Sequence, residues 1–181
     1  VTAIDPPVAR RLWAVLTPPR YAGLPPKELP ESEGNIDGLV GTNASLTINA
    51  SKPLIGAWAV FSSDDTIQGT VNDNEAKLSF RISRSGGYSL LLLDTQGYYN
   101  RDPIEYQISA TPDEYPSVSI VEPGEDRDLG NDFLVELLIE AADDFGFSRL
   151  VLVFQSPGNA ESTIQVPYTK LDRRHIAARY V

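Results

Sequence analysis

Ala44, Leu46, Ile48 and Ala50 alternate with Ser45, Thr47 and Asn49, and no other feature constrains the fold of this chain as tightly. An apolar residue at every second position sends one face of the backbone to a core and the other to solvent, which is the signature of a half-buried β-strand. The same period returns at Ile104, Tyr106 and Ile108, at Val118 and Ile120, and at Phe133, Val135, Leu137, Ile139 and Ala141. Such runs are short and are separated by clusters of Gly, Pro, Asn and Asp, which is the all-β pattern. No stretch sustains a 3.6-residue period. Residues 135–142 (Val-Glu-Leu-Leu-Ile-Glu-Ala-Ala) contain good helix formers, so a helix is the alternative there. Punctuation by Gly and Asp on both sides, among β neighbours, reads it as a strand.

The runs at 12–16, 36–40, 44–50, 54–61, 67–71, 76–82, 88–93 and 104–108 fall within about 100 residues, the size of one immunoglobulin-like sandwich. Pro25-Pro26 and Pro30 keep the stretch after the first run extended, because proline brings no N–H to a ladder. The run at 36–40 reads as a short edge strand. Asn72-Asp73-Asn74 and Ser85-Gly86-Gly87 read as turns, and 88–93 is the most apolar strand. The expected arrangement is a leader at 1–11, a sandwich at 12–111 and a linker at 112–116. Its expected core is Leu46, Ile48, Leu90, Leu92, Ile104 or its neighbour, and Ile108.

A second set begins at Tyr115-Pro116 and runs through 133–141, 150–154, 163–168 and 176–181. Only 58 residues follow Pro123, too few for a sandwich of about 100 residues. The expectation is therefore a fragment of a longer protein, all-β, with tandem immunoglobulin-like sandwiches of which the second, at 117–181, is partial. Counterparts of 88–93 and 104–108 are missing from it. That leaves an open apolar face and an unpaired edge, a template for association. Either a homodimer forms through this half, or residues 1–33 fold back over it.

Composition excludes more than it selects. With 15 basic and 25 acidic residues the formal charge is −10. Nucleic-acid affinity rests on clustered Lys and Arg against phosphate, so that partner class is not expected, and neither is contact with an anionic membrane surface. The absence of cysteine removes disulfides, thiolate metal sites and a cysteine nucleophile. No apolar run approaches the roughly 20 residues of a membrane span.

Beyond this pattern the chain carries a resemblance. Pro18-Pro19-Arg20-Tyr21-Ala22-Gly23-Leu24-Pro25-Pro26 resembles the opening motif of the extracytoplasmic immunoglobulin-like region in a family of very large bacterial membrane-anchored proteins of unknown function. Asn100-Arg101-Asp102-Pro103-Ile104-Glu105-Tyr106, Pro112-Asp113 before Pro116, and Ala142-Asp143-Asp144-Phe145-Gly146 are similar too. The resemblance implies tandem β-sandwiches outside a bacterial membrane, periplasmic or at the cell surface, between membrane helices and a helical region. It carries no catalytic residue across.

His175 is the one histidine, in the polar turn Asp172-Arg173-Arg174-His175, and reads as a solvated turn residue in place of a triad member. No nucleophile elbow, phosphate loop or zinc-binding helix is present, so no catalytic, cofactor-binding or metal residue is assigned and the chain reads as non-enzymatic. Acidic clusters occur at Asp64-Asp65, at Asn72-Asp73-Asn74-Glu75 and at Asp143-Asp144. They read as turn chemistry. Calcium, if held, would fall to Asp126, Asp128, Asp132 and Asp143. Trp13, Tyr21, Trp58, Tyr98 and Tyr99 raise a carbohydrate-binding alternative, although Trp58 lies on the strand that carries the core Trp of antibody domains. Tyr88 after Gly87 resembles a tyrosine corner, whose hydroxyl bonds upstream backbone. The Asn43 and Asn49 sequons are read as chance. The leading function is an extracytoplasmic interaction or spacer module whose partners are proteins or neighbouring domains. The alternative is a carbohydrate-binding module attached to an enzyme.

Overall fold

The computed structural model describes residues 5–126, 128, 134–155, 158–172 and 174–181. It divides into two compact units, Val1–Pro112 and Asp113–Val181.

The first unit is built from β1 (Ala9–Thr17), β2 (Lys27–Glu28), β3 (Ile36–Leu39), β4 (Asn43–Ala50), β5 (Leu54–Phe61), β6 (Thr66–Gln68), β7 (Thr70–Asn72), β8 (Glu75–Arg81), β9 (Gly86–Asp94) and β10 (Glu105–Thr111). They form two five-stranded sheets, ordered β2-β1-β4-β8-β7 and β3-β10-β9-β5-β6. Neighbours run antiparallel except β3, which lies parallel to β10 as an edge strand. On β4, Ala44, Leu46, Ile48 and Ala50 are all buried, and across the ladders they face Leu16, Ala14 and Leu12 on β1 and Phe80, Leu78 and Ala76 on β8. Each pair lies on one face of its sheet because side chains directly opposite in a ladder point the same way. The other sheet closes this core with Ile36, Ala57, Ala59, Tyr88, Leu90, Leu92 and Ile108. The unit is a β-sandwich.

Four expectations need correcting. The first strand opens at Ala9, earlier than residue 12. The run 67–71 is two strands that belong to different sheets. Gly69 donates its N–H to the Ala57 carbonyl at 2.8 Å, and the chain then leaves β5 for β8. A Cβ at position 69 would stand 2.5 Å from the Lys77 carbonyl oxygen, so only glycine makes this switch without displacement. The glycine pair after Ser85 is already in β9. Ile104 is 66% exposed, because β10 opens one residue later and Tyr106 takes the inward position.

The second unit contains β11 (Ser117–Glu122), β12 (Leu137–Ala142), β13 (Leu150–Phe154), β14 (Ser162–Val166), β15 (Thr169–Lys170) and β16 (His175–Tyr180). One sheet has the order β11-β12-β16-β15, and β13-β14 form a separate hairpin. β12 is a strand, flanked on both sides by antiparallel partners; its expected start at Phe133 lies outside the described residues. The run 163–168 divides after Val166, and Thr169 joins β16 across Pro167 and Tyr168. The small core is Ile139, Ala141, Leu150, Val166, Ile176 and Ala178. The inward faces of β12 and β13 were both expected to be open, yet Ile139, Ala141 and Leu150 are buried; Phe154 at the end of β13 is exposed, as is all of β11.

Leu90 is buried at the centre of the first core. Leu90→Ala leaves a cavity there and is expected to cost roughly 2–5 kcal/mol in urea unfolding. An unchanged midpoint would show that β9 does not fill this core.

Candidate functional site

The first unit is locked by a buried tyrosine. β9 turns Tyr88 inward, and its hydroxyl donates to the Gly34 carbonyl oxygen at 2.6 Å. The Tyr88 ring packs against Phe80 at 5.5 Å, Tyr106 at 5.4 Å and Phe61 at 6.2 Å between centroids. Gly34 is required for that approach, since a Cβ would stand 2.2 Å from Tyr106 Cδ1. Burial, and then the neighbouring Tyr106 phenol, push the Tyr88 hydroxyl well above its ordinary pKa. The neutral, donating form is the one the fold selects. This is the upstream backbone bond expected of Tyr88, and its role is architectural.

The opposite face of the same sheet carries the exposed aromatics. Trp58 is not in the core. A β-bulge between Leu54 and Gly56 interrupts the pairing of β5 with β9. Leu54 points inward, but beyond the bulge Ala57 and Ala59 take the inward positions and Trp58 turns out. An extra residue in a strand reverses every later side chain, and sequence alternation cannot show it. Trp58 lies half-buried over Gly56, where a Cβ would meet its Cη2 at 2.2 Å. Its ladder partners are Leu91 on β9 and Gln68 on β6. The Tyr99 ring sits 6.3 Å away at an interplanar angle of 50°.

An asparagine holds Tyr99 in place. β10 pairs with β9 only from Gly86 to Ser89. Beyond that point Asn100 stands in for a strand: its Oδ1 accepts from the Leu92 N–H at 2.7 Å, its Nδ2 donates to the Leu90 carbonyl at 2.9 Å, and its own N–H donates to the Leu92 carbonyl at 3.1 Å. Leu93 bridges Tyr99 beside it. The preceding turn is fixed by buried Asp94, whose Oδ1 accepts the N–H groups of Gln96 and Tyr98, both at 2.9 Å, while its Oδ2 lies 3.8 Å from Lys52 Nζ. Neither Asn100 nor Asp94 was singled out as a positioning residue from sequence; the one signal was the likeness of the 100–106 stretch to a family motif. Tyr98 and Tyr99 are exposed, at 39% and 49%. Trp13 is elsewhere, on β1, with the Arg11 guanidinium 5.5 Å from its ring centroid, and Tyr21 lies in a short helical turn. Of the five aromatics, the structure brings Trp58 and Tyr99 together.

The acidic clusters are turns. Asp73 lies in the tight β7–β8 hairpin, Asp65 accepts from Ser63 Oγ at 2.8 Å, and Asp143 accepts the Phe145 N–H at 3.0 Å. Asp126 and Asp128 lie in the loop after β11, and Asp132 lies outside the described residues. Among the described residues no three acidic or histidine side chains gather into a metal set. His175 Nδ1 lies 2.8 Å from Asp172 Oδ2, with both side chains more than half exposed. The N–H of Arg174, followed by the His175 side chain, holds the Asp172 carboxyl below the usual carboxylate range. Among the described residues no serine hydroxyl bonds to His175, and the pair forms a solvated turn.

Among the described residues no helix is long and apolar enough to cross a membrane. Models of known protein families give no match to this chain, and no curated protein matches it.

Two measurements test these contacts. The stability that Tyr88 contributes by staying neutral is complete below about pH 10, the ordinary phenol value, and is lost as pH rises above it. Tyr88→Phe is expected to lower stability at pH 7 by about 1–3 kcal/mol, through the stranded Gly34 carbonyl, and to flatten the alkaline decline. Equal alkaline slopes for variant and parent would contradict this. Asn100→Asp keeps the acceptor for Leu92 but sets a carboxylate oxygen against the Leu90 carbonyl, and is expected to cost about 1–3 kcal/mol. Unaltered unfolding would show that another group holds the loop.

Proposed function

We propose that this chain is a non-catalytic interaction or spacer module, built of tandem immunoglobulin-like sandwiches in the extracytoplasmic part of a large bacterial envelope protein. The strand order β1-β4-β8-β7 opposite β10-β9-β5 supports the fold, since it is the ABED and GFC order of an immunoglobulin sandwich. Tyr88 at the start of the penultimate strand supports it as well. The second unit's order β11-β12-β16-β15 with β13-β14 repeats part of the first.

One observation carries the interaction reading. The core of the first unit is filled without Trp58, Leu91, Leu93 and Tyr99, yet these side chains share the outer face of β5 and β9. A sandwich gains little from large apolar groups on a solvent face, and a cluster of them is the usual mark of a contact surface. The carbohydrate alternative asks for coplanar rings that a sugar can lie across. The 50° tilt between Trp58 and Tyr99, and their contact with each other, do not favour it.

A photo-crosslinking residue at position 91, with a second at Thr47 on the outer face of β4, tests the proposal in cells. Discrete protein adducts at 91 that are absent at 47 are the expected result. Titration with soluble oligosaccharides is expected to be silent. Sugar binding that disappears in Trp58→Ala and Tyr99→Ala would replace this reading with the carbohydrate one.

A further inference from the structure

The first sandwich has an open pit at one end, where the β5–β6 turn meets the β8–β9 turn. Tyr88 points inward from β9, so Gly86, two positions earlier on the same strand, also faces inward. It brings no side chain. A Cβ there would meet only the Ser62 Oγ, at 3.2 Å. The space left over is a cavity of about 350 Å³ whose apolar lining is Phe61, Ile67, Phe80, Ile82 and Ile108. All five belong to the first core or pack against it. The polar residues around the mouth, among them Ser63, Asp65 and Arg84, are exposed.

Backbone bonds hold this mouth in shape. The Ser62 N–H donates to the Gly87 carbonyl at 2.9 Å, and the Ser62 Oγ accepts the Gly87 N–H at 3.0 Å. The Asp65 carbonyl accepts the Phe61 N–H at 2.9 Å, and the Ser85 Oγ accepts the Ala110 N–H at 2.9 Å. One acid and one base thereby stand across the opening, with Arg84 Nη2 3.4 Å from Asp65 Oδ2. Ser63 Oγ donates to that same oxygen at 2.8 Å. Among the described residues, Asp65 Oδ1 and the other N–H groups of Arg84 bond nothing in the protein. A guanidinium has five donors and a carboxylate two accepting oxygens, so the pair saturates neither. An exposed pair of this kind is also weak and yields readily to a third partner.

We propose that this pit binds a small zwitterion with an apolar body, namely an aliphatic or aromatic α-amino acid. Its ammonium meets Asp65, its carboxylate meets Arg84, and its side chain lies in the space that Gly86 leaves, against Phe61, Phe80 and Ile108. Charge selects this class. A simple anion at the mouth faces Asp65 and a simple cation faces Arg84, so a ligand with both signs on neighbouring atoms is the one that gains from both. A peptide terminus carries only one of the two charges on its last residue. Size agrees, since the cavity lies at the small end of the range for ligand pockets. A largely apolar lining with a few fixed polar groups is the usual composition of such pockets.

An amide NMR titration of the 181-residue chain tests the assignment. The ligands are leucine, phenylalanine, glycine, N-acetylleucine and leucinamide. Leucine and phenylalanine at millimolar concentration are expected to shift amides of residues 61–67 and 80–87. Glycine lacks the apolar body and each blocked leucine lacks one charge, so all three are expected to bind about tenfold more weakly or worse. Arg84→Gln and Asp65→Asn, both at exposed positions, are each expected to cost a similar factor. Gly86→Leu fills the pit and is expected to abolish the shifts with no fall in melting temperature. No shift with either apolar amino acid would overturn the proposal, and so would equal shifts with the blocked leucines. Shifts that persist in a folded Gly86→Leu variant would place the ligand outside the pit and overturn it too.

Discussion

A pleated strand has two faces, and this molecule depends on which side chains go to which. In the first unit the alternation from Leu12 to Leu16 on β1, and through β4 and β8, is unbroken, so one sheet presents a continuous apolar face. In β5 a single extra residue between Leu54 and Gly56 reverses the pattern. Small Ala57 and Ala59 then point inward, beneath the large side chains of β9, and Trp58 is turned to the outside. Had the alternation from Leu54 continued, an indole would occupy the core and the outer face would lose its largest ring.

The outer face is then organised by polar groups. Asn100 supplies the donor and acceptor that β9 lacks once β10 has diverged, and buried Asp94 fixes the turn before it. Buried backbone groups must find partners, and here a side-chain amide provides them. The result places Tyr99 beside Trp58. On the inner face the Tyr88 hydroxyl performs the comparable task for Gly34. β9 is thus pinned through the Tyr88 hydroxyl to Gly34 and, along its edge, through two side-chain bonds of Asn100.

Much of this was legible in the sequence because side-chain period maps directly onto burial. The strands around Leu46 and Ile139 follow from alternation and the one around Leu90 from its apolar run, and the bond made by Tyr88 follows from its likeness to a tyrosine corner. The features that sequence reading missed are those that break the period. The bulge in β5, the change of sheet at Gly69 and the late start of β10 that leaves Ile104 outside each depend on one residue's backbone geometry, which alternation cannot encode. The candidate surface was half visible: Tyr98 and Tyr99 read as exposed, whereas Trp58 was expected in the core. Phe154 and Ile120 were legible as strand residues, but their exposure depends on what lies opposite them.

The reading of the first unit turns on the placement of Trp58, and fluorescence tests it. In Trp13→Phe, Trp58 is the single indole. The account predicts emission that acrylamide quenches readily in the folded protein, and that deletion of Ile55, which removes the extra residue of the bulge and leaves Leu54 inward and Trp58 outward in a regular ladder, does not shift it to shorter wavelength. A blue-shifted indole that acrylamide does not reach in Trp13→Phe itself would place Trp58 in the core and contradict the account.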